Sequence, residues 1–238
     1  MNLAVAERFP LPLFRQGFKT GLSIAIGFMP VAFTFGLLAK SSGLSLYETL
    51  SMSILVFAGA SQYIALTLIA AGVGALELIT TTFIVNIRHL LMSASISEKS
   101  ADDPKWLKAL YSFFITDETF SIAATGKDKI QAAYMFGLGS IAYGSWVVFS
   151  GVGYLIGAGL PQILQDSMGI ALYALFIGLL VPSAKTSKKV ILLAAIAAVV
   201  NCILTFATAM STGWTIIIST LVSSILIEMI WKEETDRA

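Results

Sequence analysis

The sequence predicts an all-α integral membrane protein, a polytopic helical bundle of about seven to eight hydrophobic segments, some of which could be broken or re-entrant. Two observations predict this class. Of the 238 residues, 57% are hydrophobic and only 12% are charged, whereas a soluble domain carries about 25% charged residues. The charges are also clustered, and they leave uncharged stretches at 20–39, 49–76, 131–164 and 191–226. Each stretch is long enough for a helix that crosses the bilayer, which takes about 20 apolar residues.

Hydrophobic segments can be followed along the whole chain, and their approximate ranges are 20–39, 49–72, 76–96, 108–125, 132–157, 167–184, 189–209 and 213–231. We predict that they form one transmembrane domain over 20–231. A cytoplasmic lead-in over 1–19 precedes this domain, and a cytoplasmic tail over 232–238 follows it. The lead-in carries acidic, basic and proline residues, so it does not have the apolar core of a secretory signal peptide.

Lysine and arginine residues in the loops predict the orientation, because they are enriched on the cytoplasmic side. If all eight segments cross the membrane, most loop lysines and both termini share one side, which is therefore cytoplasmic. The loop at 97–108 contradicts this arrangement, because it places Lys99, Lys105 and Lys108 on the other side. The conflict disappears if the third and fourth segments are both re-entrant or broken and return to the cytoplasmic side. Both topologies stay open.

Several polar side chains are predicted to lie inside the membrane, and those that could line a substrate or proton path are Gln62, Asn86, Arg88, His89, Asp117 and Glu118. A single charge at the bilayer centre costs about 2.5–3.5 kcal/mol on insertion scales. Opposite charges placed together offset part of this cost, yet even a matched buried pair rarely adds stability over apolar residues. A functional polar cavity is therefore a better explanation than stability alone.

Arg88 is expected to pair with one of the two adjacent acids in "TDETF" (116–120). Neighbouring residues point about 100° apart on a helix, so Asp117 and Glu118 should not be equivalent. We favour Asp117 as the partner of Arg88, which leaves Glu118 to face a substrate ammonium or a proton. His89 titrates near neutral pH when exposed and could relay protons. Alternatively, His89 only forms a hydrogen bond to a neighbouring helix.

Glycine and proline residues predict two interruptions of the helices. Pro30 in "GFMPVAFTFG" (27–36) is expected to break the first segment, and Gly59 in "FAGASQ" (57–62) is expected to break the second. Broken helices at membrane depth are tolerated where they line a cavity, and their free N–H groups suit a carboxylate. In the fifth segment, small residues recur at every seventh position and predict a tight helix contact: Gly137, Gly144, Gly151 and Ala158.

Four stretches together resemble the AzlC family of branched-chain amino acid exporters: "GFKTGLSIAIGFMPVAFTFGLLAKSSGLS" (17–45), "FAGASQY" (57–63), "NIRHLLMS" (86–93) and "TDETF" (116–120). They cover most of residues 15–160, in the order found in the family. The resemblance implies a multi-pass protein of the prokaryotic plasma membrane that exports leucine, valine, isoleucine or similar apolar amino acids. It also implies a small membrane partner subunit of the AzlD type.

The expected mechanism is secondary-active transport coupled to protons or another ion, because the chain contains no nucleotide-binding motif. We predict no cofactor and no metal site, since Cys202 is the single cysteine. The net charge of +1 indicates no nucleic-acid partner; an oligomer is left open. Two alternatives remain. One is a transporter or channel for another small metabolite, and the other is an intramembrane serine protease that uses Ser61 of "GASQ" with His89 as its base.

Overall fold

The structure is a computed structural model that describes residues 10–126, 129–208 and 210–235. Over these ranges it consists of α-helices, with one isolated bridge pair and no β-strand, which confirms the predicted all-α class. The helices are α1 (Leu11–Ser41), α2 (Leu46–Leu55), α3 (Gly59–Ala70), α4 (Ala75–Lys99), α5 (Lys105–Ser112), α6 (Asp117–Thr125), α7 (Ala132–Ile156), α8 (Gln162–Thr186), α9 (Lys188–Ala207) and α10 (Thr212–Thr235), with a 3-10 turn at Gly157–Gly159.

Among the described residues, five helices are long and apolar enough to cross a membrane: Leu11–Ser41, Ala75–Lys99, Ala132–Gly159, Lys188–Ala207 and Thr212–Trp231. The second and fourth hydrophobic segments are instead divided into the short pairs α2–α3 and α5–α6. The first helix begins at Leu11, within the predicted lead-in. The rest of the lead-in and the end of the tail, residues 1–9 and 236–238, lie outside the described residues.

The chain divides into two compact units, Met1–Leu66 with Asn86–Ala171 and Thr67–Val85 with Leu172–Ala238. The single transmembrane domain over 20–231 stays a prediction. The first unit is built on α1 and α7, which run parallel and touch along their length. Gly17 near the start of α1 lies against the backbone of Tyr134 near the start of α7. We call this end of the unit, where both helices begin, the basal end, and the opposite end the distal end.

Helix α1 is continuous through Pro30, so the predicted break at this proline is wrong. Proline removes one backbone hydrogen bond of the helix, but membrane helices tolerate this where neighbouring groups compensate. The Thr34 hydroxyl donates to the Pro30 carbonyl, and Ser145 of α7 donates to the carbonyl of Ala25. Contact with α7 on both sides of the proline keeps the helix straight enough to pack.

Helices α5 and α6 form a re-entrant hairpin that begins and ends at the basal end. The Ile130 N–H donates to the carbonyl of Lys99 (3.0 Å), and the Ala101 N–H donates to the carbonyl of Ile130 (2.8 Å). These bonds join the end of α4 to the segment that leads from α6 into α7. Lys99, Lys105 and Lys108 therefore lie at the same end as the start of α1, which removes the conflict with the charge rule for loops.

Both topologies predicted from the sequence therefore differ from the structure. The topology with eight crossings fails at the second and the fourth segments, each of which is a pair of short helices. The topology with two interrupted segments fails at the third, because α4 is one continuous helix of 25 residues.

Helices α2 and α3 form a second hairpin, which enters from the distal end, where α1 ends and α2 begins. Residues 56–58 are its turn. The Tyr143 hydroxyl donates to the carbonyl of Ile54 (2.9 Å), which places this turn beside the middle of α7. Helix α3 then runs back along α2, because the side chain of Gln62 reaches Ser53 across the hairpin. The predicted break at Gly59 is confirmed, since α3 starts at this residue.

The second unit contains α9 and α10 as a packed helix pair, together with the start of α4. Lys189 forms an ion pair with Glu228, and the Asn201 amide lies 3.5 Å from the Ser219 hydroxyl. Glu77, in the first turn of α4, accepts hydrogen bonds from the Ser211 hydroxyl and the Gly213 N–H. Its carboxylate thereby caps the start of α10, where a negative charge suits the helix dipole.

The glycines of α7 provide a matched test of the α1–α7 contact. A Cβ at Gly153 would overlap the carbonyl oxygen of Phe33 in α1, whereas a Cβ at Gly144 would have nothing within 4 Å. The tight contact predicted at Gly144 is therefore wrong. We expect Gly153→Ala to lower the Tm of the purified protein by about 4–8 °C, because overpacking costs about 2 kcal/mol. Gly144→Ala should leave the Tm unchanged, and equal effects of the two substitutions on the Tm would contradict this packing.

Candidate functional site

The turns of the two hairpins meet beside Tyr143, near the middle of α7. The Phe57 ring, in the turn of α2–α3, lies 5.4 Å from the Tyr143 ring, centroid to centroid. The Phe113 ring, in the turn of α5–α6, lies 5.5 Å from the same ring and 6.5 Å from Phe57. The hairpins therefore enter the unit from opposite ends and touch through aromatic side chains at its centre.

Two helices start at this meeting point, α3 at Gly59 and α6 at Asp117. The first N–H groups of a helix have no partner within the helix, and the helix dipole places partial positive charge there. In α6 the chain satisfies part of this demand itself, because Thr116 and Thr119 exchange side chain-to-backbone hydrogen bonds. In α3 the residue before the helix is Ala58, whose side chain can accept no hydrogen bond.

Helix α4 connects the two helix starts through residues two positions apart. The Asn86 amide donates to the hydroxyl of Ser61 in the first turn of α3, at 3.0 Å. Arg88 Nη1 lies 3.0 Å from Asp117 Oδ2, at the first residue of α6. Two positions correspond to about 200° around a helix, so α4 passes between the hairpins. We call Ser61, Asn86, Arg88 and Asp117 the central cluster.

The ion pair of the central cluster is half-buried, with side-chain exposures of 35% for Arg88 and 25% for Asp117. Asp117 is stabilised twice, by the guanidinium and by its place in the first turn of α6. Glu118, the next residue, has no ion-pair partner among the described residues. The preference for Asp117 over Glu118 as the partner of Arg88 agrees with this geometry, while a role of either acid in a substrate or proton path stays a prediction.

The other two predicted site residues differ in their surroundings. The Gln62 side chain is 1% exposed and donates from Nε2 to the Ser53 hydroxyl at 3.4 Å. His89 Nδ1 lies 3.2 Å from the carbonyl of Asn86, one turn earlier in its own helix. Gln62 is thus one residue away from the central cluster along α3, whereas the contact of His89 is local.

The geometry does not support the protease alternative. The Ser61 hydroxyl donates to the carbonyl of Ala58 at 3.0 Å and accepts from Asn86. A serine nucleophile requires a hydrogen bond to its base, and within the described parts of the chain none joins Ser61 to His89.

A buried chain of hydrogen bonds behind the central cluster was missed by the sequence analysis. The Ser53 hydroxyl, which accepts from Gln62, donates to Ser150 at 2.9 Å, and the Ser150 hydroxyl donates to the carbonyl of Trp146 at 2.7 Å. Trp146 offered a signal, because tryptophan in a membrane segment is expected near an interface and this one lies in mid-segment. Isolated serines in apolar sequence offered none.

Comparison with known proteins places the chain among membrane proteins of related sequence. Residues 23–160, which include the whole central cluster, match the family model described as AzlC protein. The chain is 32% identical to the inner membrane protein YgaZ of Escherichia coli, over 77% of this chain and 78% of that protein. It is 26% identical to the branched-chain amino acid transport protein AzlC of Bacillus subtilis, over 74% of this chain and 70% of that protein. No solved structure matches. The chain is a membrane protein that belongs to the AzlC family.

Proposed function

We propose that this chain exports branched-chain or similar apolar amino acids, such as leucine, valine, isoleucine and methionine, by ion- or proton-coupled secondary transport. Membership of the AzlC family and the named transport protein of Bacillus subtilis support transport in general. The observation that carries the proposal is the convergence of two helix starts and an arginine–aspartate pair at the centre of the unit.

The chemistry of this centre suits an apolar amino acid. Helix starts and the Arg88 guanidinium attract a carboxylate. Asp117 and Glu118 provide negative charge for an ammonium or a coupling proton. The aromatic rings of the two turns, Phe57 and Phe113, offer an apolar surface to the side chain of the substrate. Charges at this depth are costly, and a role in transport explains why the chain keeps them.

The opposed hairpins provide a route for alternating access. One hairpin enters from the basal end and the other from the distal end, and their turns meet at the centre. Small movements of one hairpin at a time would open the centre to one end while the other hairpin keeps it closed. Interrupted helices at a central binding site are a recurring device of secondary transporters.

The basal end is proposed to face the cytoplasm of a prokaryotic cell, with the protein in the plasma membrane. Lysines at the basal end outnumber those at the distal end of the first unit. The basal end has Lys99, Lys105, Lys108 and Lys129, whereas the distal end has Lys40. Such an excess marks the cytoplasmic side. Both chain termini are proposed to lie on this side.

Export can be tested by loading cells with leucine-containing dipeptides, which peptidases convert to free leucine. Cells that overproduce the protein should release leucine several times faster than cells that lack it, and valine, isoleucine and methionine should behave alike. Saturation with internal leucine and efflux against a gradient would distinguish a transporter from a channel. Equal efflux of all four amino acids from both strains would refute the proposed substrate class.

A small membrane subunit of the AzlD type is proposed as the partner, from the family resemblance. Liposomes that contain both chains should transport leucine much faster than liposomes that contain this chain alone. Equal rates in the two preparations, at matched amounts of this chain, would show that the partner is dispensable.

The central ion pair can be tested by a double-mutant cycle of Arg88→Gln and Asp117→Asn. Each single change leaves one charge unpaired inside the membrane. The loss of Tm and membrane abundance in the double variant should therefore be smaller than the sum of the losses in the two single variants. We expect a coupling energy of about 1 kcal/mol, because the pair is half-exposed and partly screened. Arg88→Gln with Glu118→Gln is the matched control, and its effects should be additive. Additive losses in the Asp117 cycle would contradict the pairing.

A further inference from the structure

The start of α3 carries unused hydrogen-bond donors. No described group accepts a hydrogen bond from the backbone N–H of Gly59, Ala60 or Ser61, whereas the Gln62 N–H already donates to Ala58. The starts of α2 and α6 are both capped by their own side chains. A helix start that is left uncapped inside a membrane protein is costly unless something else supplies an acceptor.

Gln62 provides an unused acceptor next to these donors. The Ser53 hydroxyl already donates to Ser150, so it can only accept from Gln62, and this assigns Nε2 of the Gln62 amide to the serine. The opposite atom, Gln62 Oε1, is buried and has no hydrogen-bond partner. Gln62 belongs to the same first turn of α3 as the free N–H groups, and its Cα–Cβ bond tilts toward the helix start. A buried acceptor without a donor is destabilising.

Trp146, whose ring lies against the same helix start, has an unused donor. The side chain is 2% exposed, and its Nε1 is buried without a partner. The far edge of its six-membered ring lies against Gly59, with Cη2 at 2.8 Å from the position that a Cβ would take there. The ring also packs on Phe28 and Phe35, which hold it in place. Buried tryptophan N–H groups usually have a hydrogen-bond partner, so this N–H group is free to donate to a bound ligand.

Donors and an acceptor at one helix start match the polar head of an α-amino acid, which has a carboxylate and an ammonium on the same carbon atom. Arg88 and Asp117 already neutralise each other through Nη1 and Oδ2, although Arg88 Nε is buried without a partner. Neutral dipoles can bind a zwitterion without an excess charge, since the two charges of the ligand cancel within the site.

We propose that the start of α3 is the head-group site of the transported amino acid, where the N–H groups of Gly59, Ala60 and Trp146 receive the carboxylate and Gln62 Oε1 receives the ammonium. This inference rests on the proposed function and names the atoms that would recognise the substrate. It gives direct contact with the head group to the start of α3, and leaves the Arg88–Asp117 pair to hold α4 against α6.

The proposal predicts that both charged groups of the ligand are required. Purified protein in lipid nanodiscs, with its partner subunit if that is needed, would be tested with radiolabelled leucine and two unlabelled competitors. Leucinamide lacks the carboxylate, and 4-methylpentanoate lacks the ammonium. Each competitor should bind at least about tenfold more weakly than leucine, because each lacks one charged group and therefore loses its charge-assisted hydrogen bonds.

Two substitutions should separate recognition of the carboxylate from recognition of the ammonium. Trp146→Phe removes a donor to the carboxylate, so it should weaken the binding of leucine and 4-methylpentanoate about tenfold and leave the binding of leucinamide unchanged. Gln62→Met removes the acceptor and keeps a side chain of similar size. It should weaken the binding of leucine and leucinamide and leave the binding of 4-methylpentanoate unchanged. Tyr143→Phe is the matched control, because this ring touches the same turn and its hydroxyl bonds to the backbone. It should not alter the ratios among the three ligands.

The outcomes distinguish this inference from the proposed function. Wild-type protein that transports leucine but binds leucinamide or 4-methylpentanoate as tightly as leucine would overturn the head-group site alone. The head-group site is also overturned if Trp146→Phe and Gln62→Met weaken all three ligands equally. If the substitutions prevent folding, the wild-type competition still decides. Wild-type protein that neither binds nor transports any apolar amino acid would overturn the proposed function and the head-group site together.

Discussion

The contact between α1 and α7 is the interaction on which the first unit depends. Glycines at both ends of the pair let the two backbones touch, since a side chain at Gly17 near the basal end or at Gly153 near the distal end would overlap the partner helix. In lipid, where tails are as apolar as side chains, such close packing is a main source of helix association. With α7 held along α1, its inward side chains have defined positions. Tyr143 and Trp146 can then receive the hairpin turns that could not exist in contact with lipid.

That requirement explains why the turns lie where they do. Backbone groups outside a helix must find partners at membrane depth, and they survive only where protein surrounds them. Residues 56–58 and 113–116 each pack against Tyr143 of α7 through an aromatic ring, Phe57 in the first turn and Phe113 in the second. Interrupting two helices leaves two helix starts to be satisfied, which is costly. Asp117 reduces that cost at α6, whereas α3 has no equivalent residue.

Much of this arrangement could be predicted from the sequence, because the relevant signals are local. Charge-free stretches predicted the helices, the glycine in "FAGASQ" predicted a break, and the cost of isolated charges predicted the pairing of Arg88 with an acid. The failures all concern tertiary contacts. Pro30 does not break α1, because α7 supports the helix on both sides of it. The glycine spacing in α7 suggested Gly144 as a contact, but α1 reaches only some positions of that stripe. The hydrogen-bonded serines Ser53 and Ser150 have no sequence signature at all.

The direction of the two half-helices has a consequence for ion coupling. Both α3 and α6 begin at the centre, so both present the positive end of their dipoles there. This field favours a carboxylate and opposes a free cation, unless negative charge accompanies it. The acids of α6 supply that charge, but Asp117 is bound to Arg88, which leaves Glu118 as the acid without an ion-pair partner in the described part of the centre. A coupling ion, whether a proton or a metal cation, would enter against this field. The proposed ion coupling would therefore depend on Glu118 as the compensating negative charge.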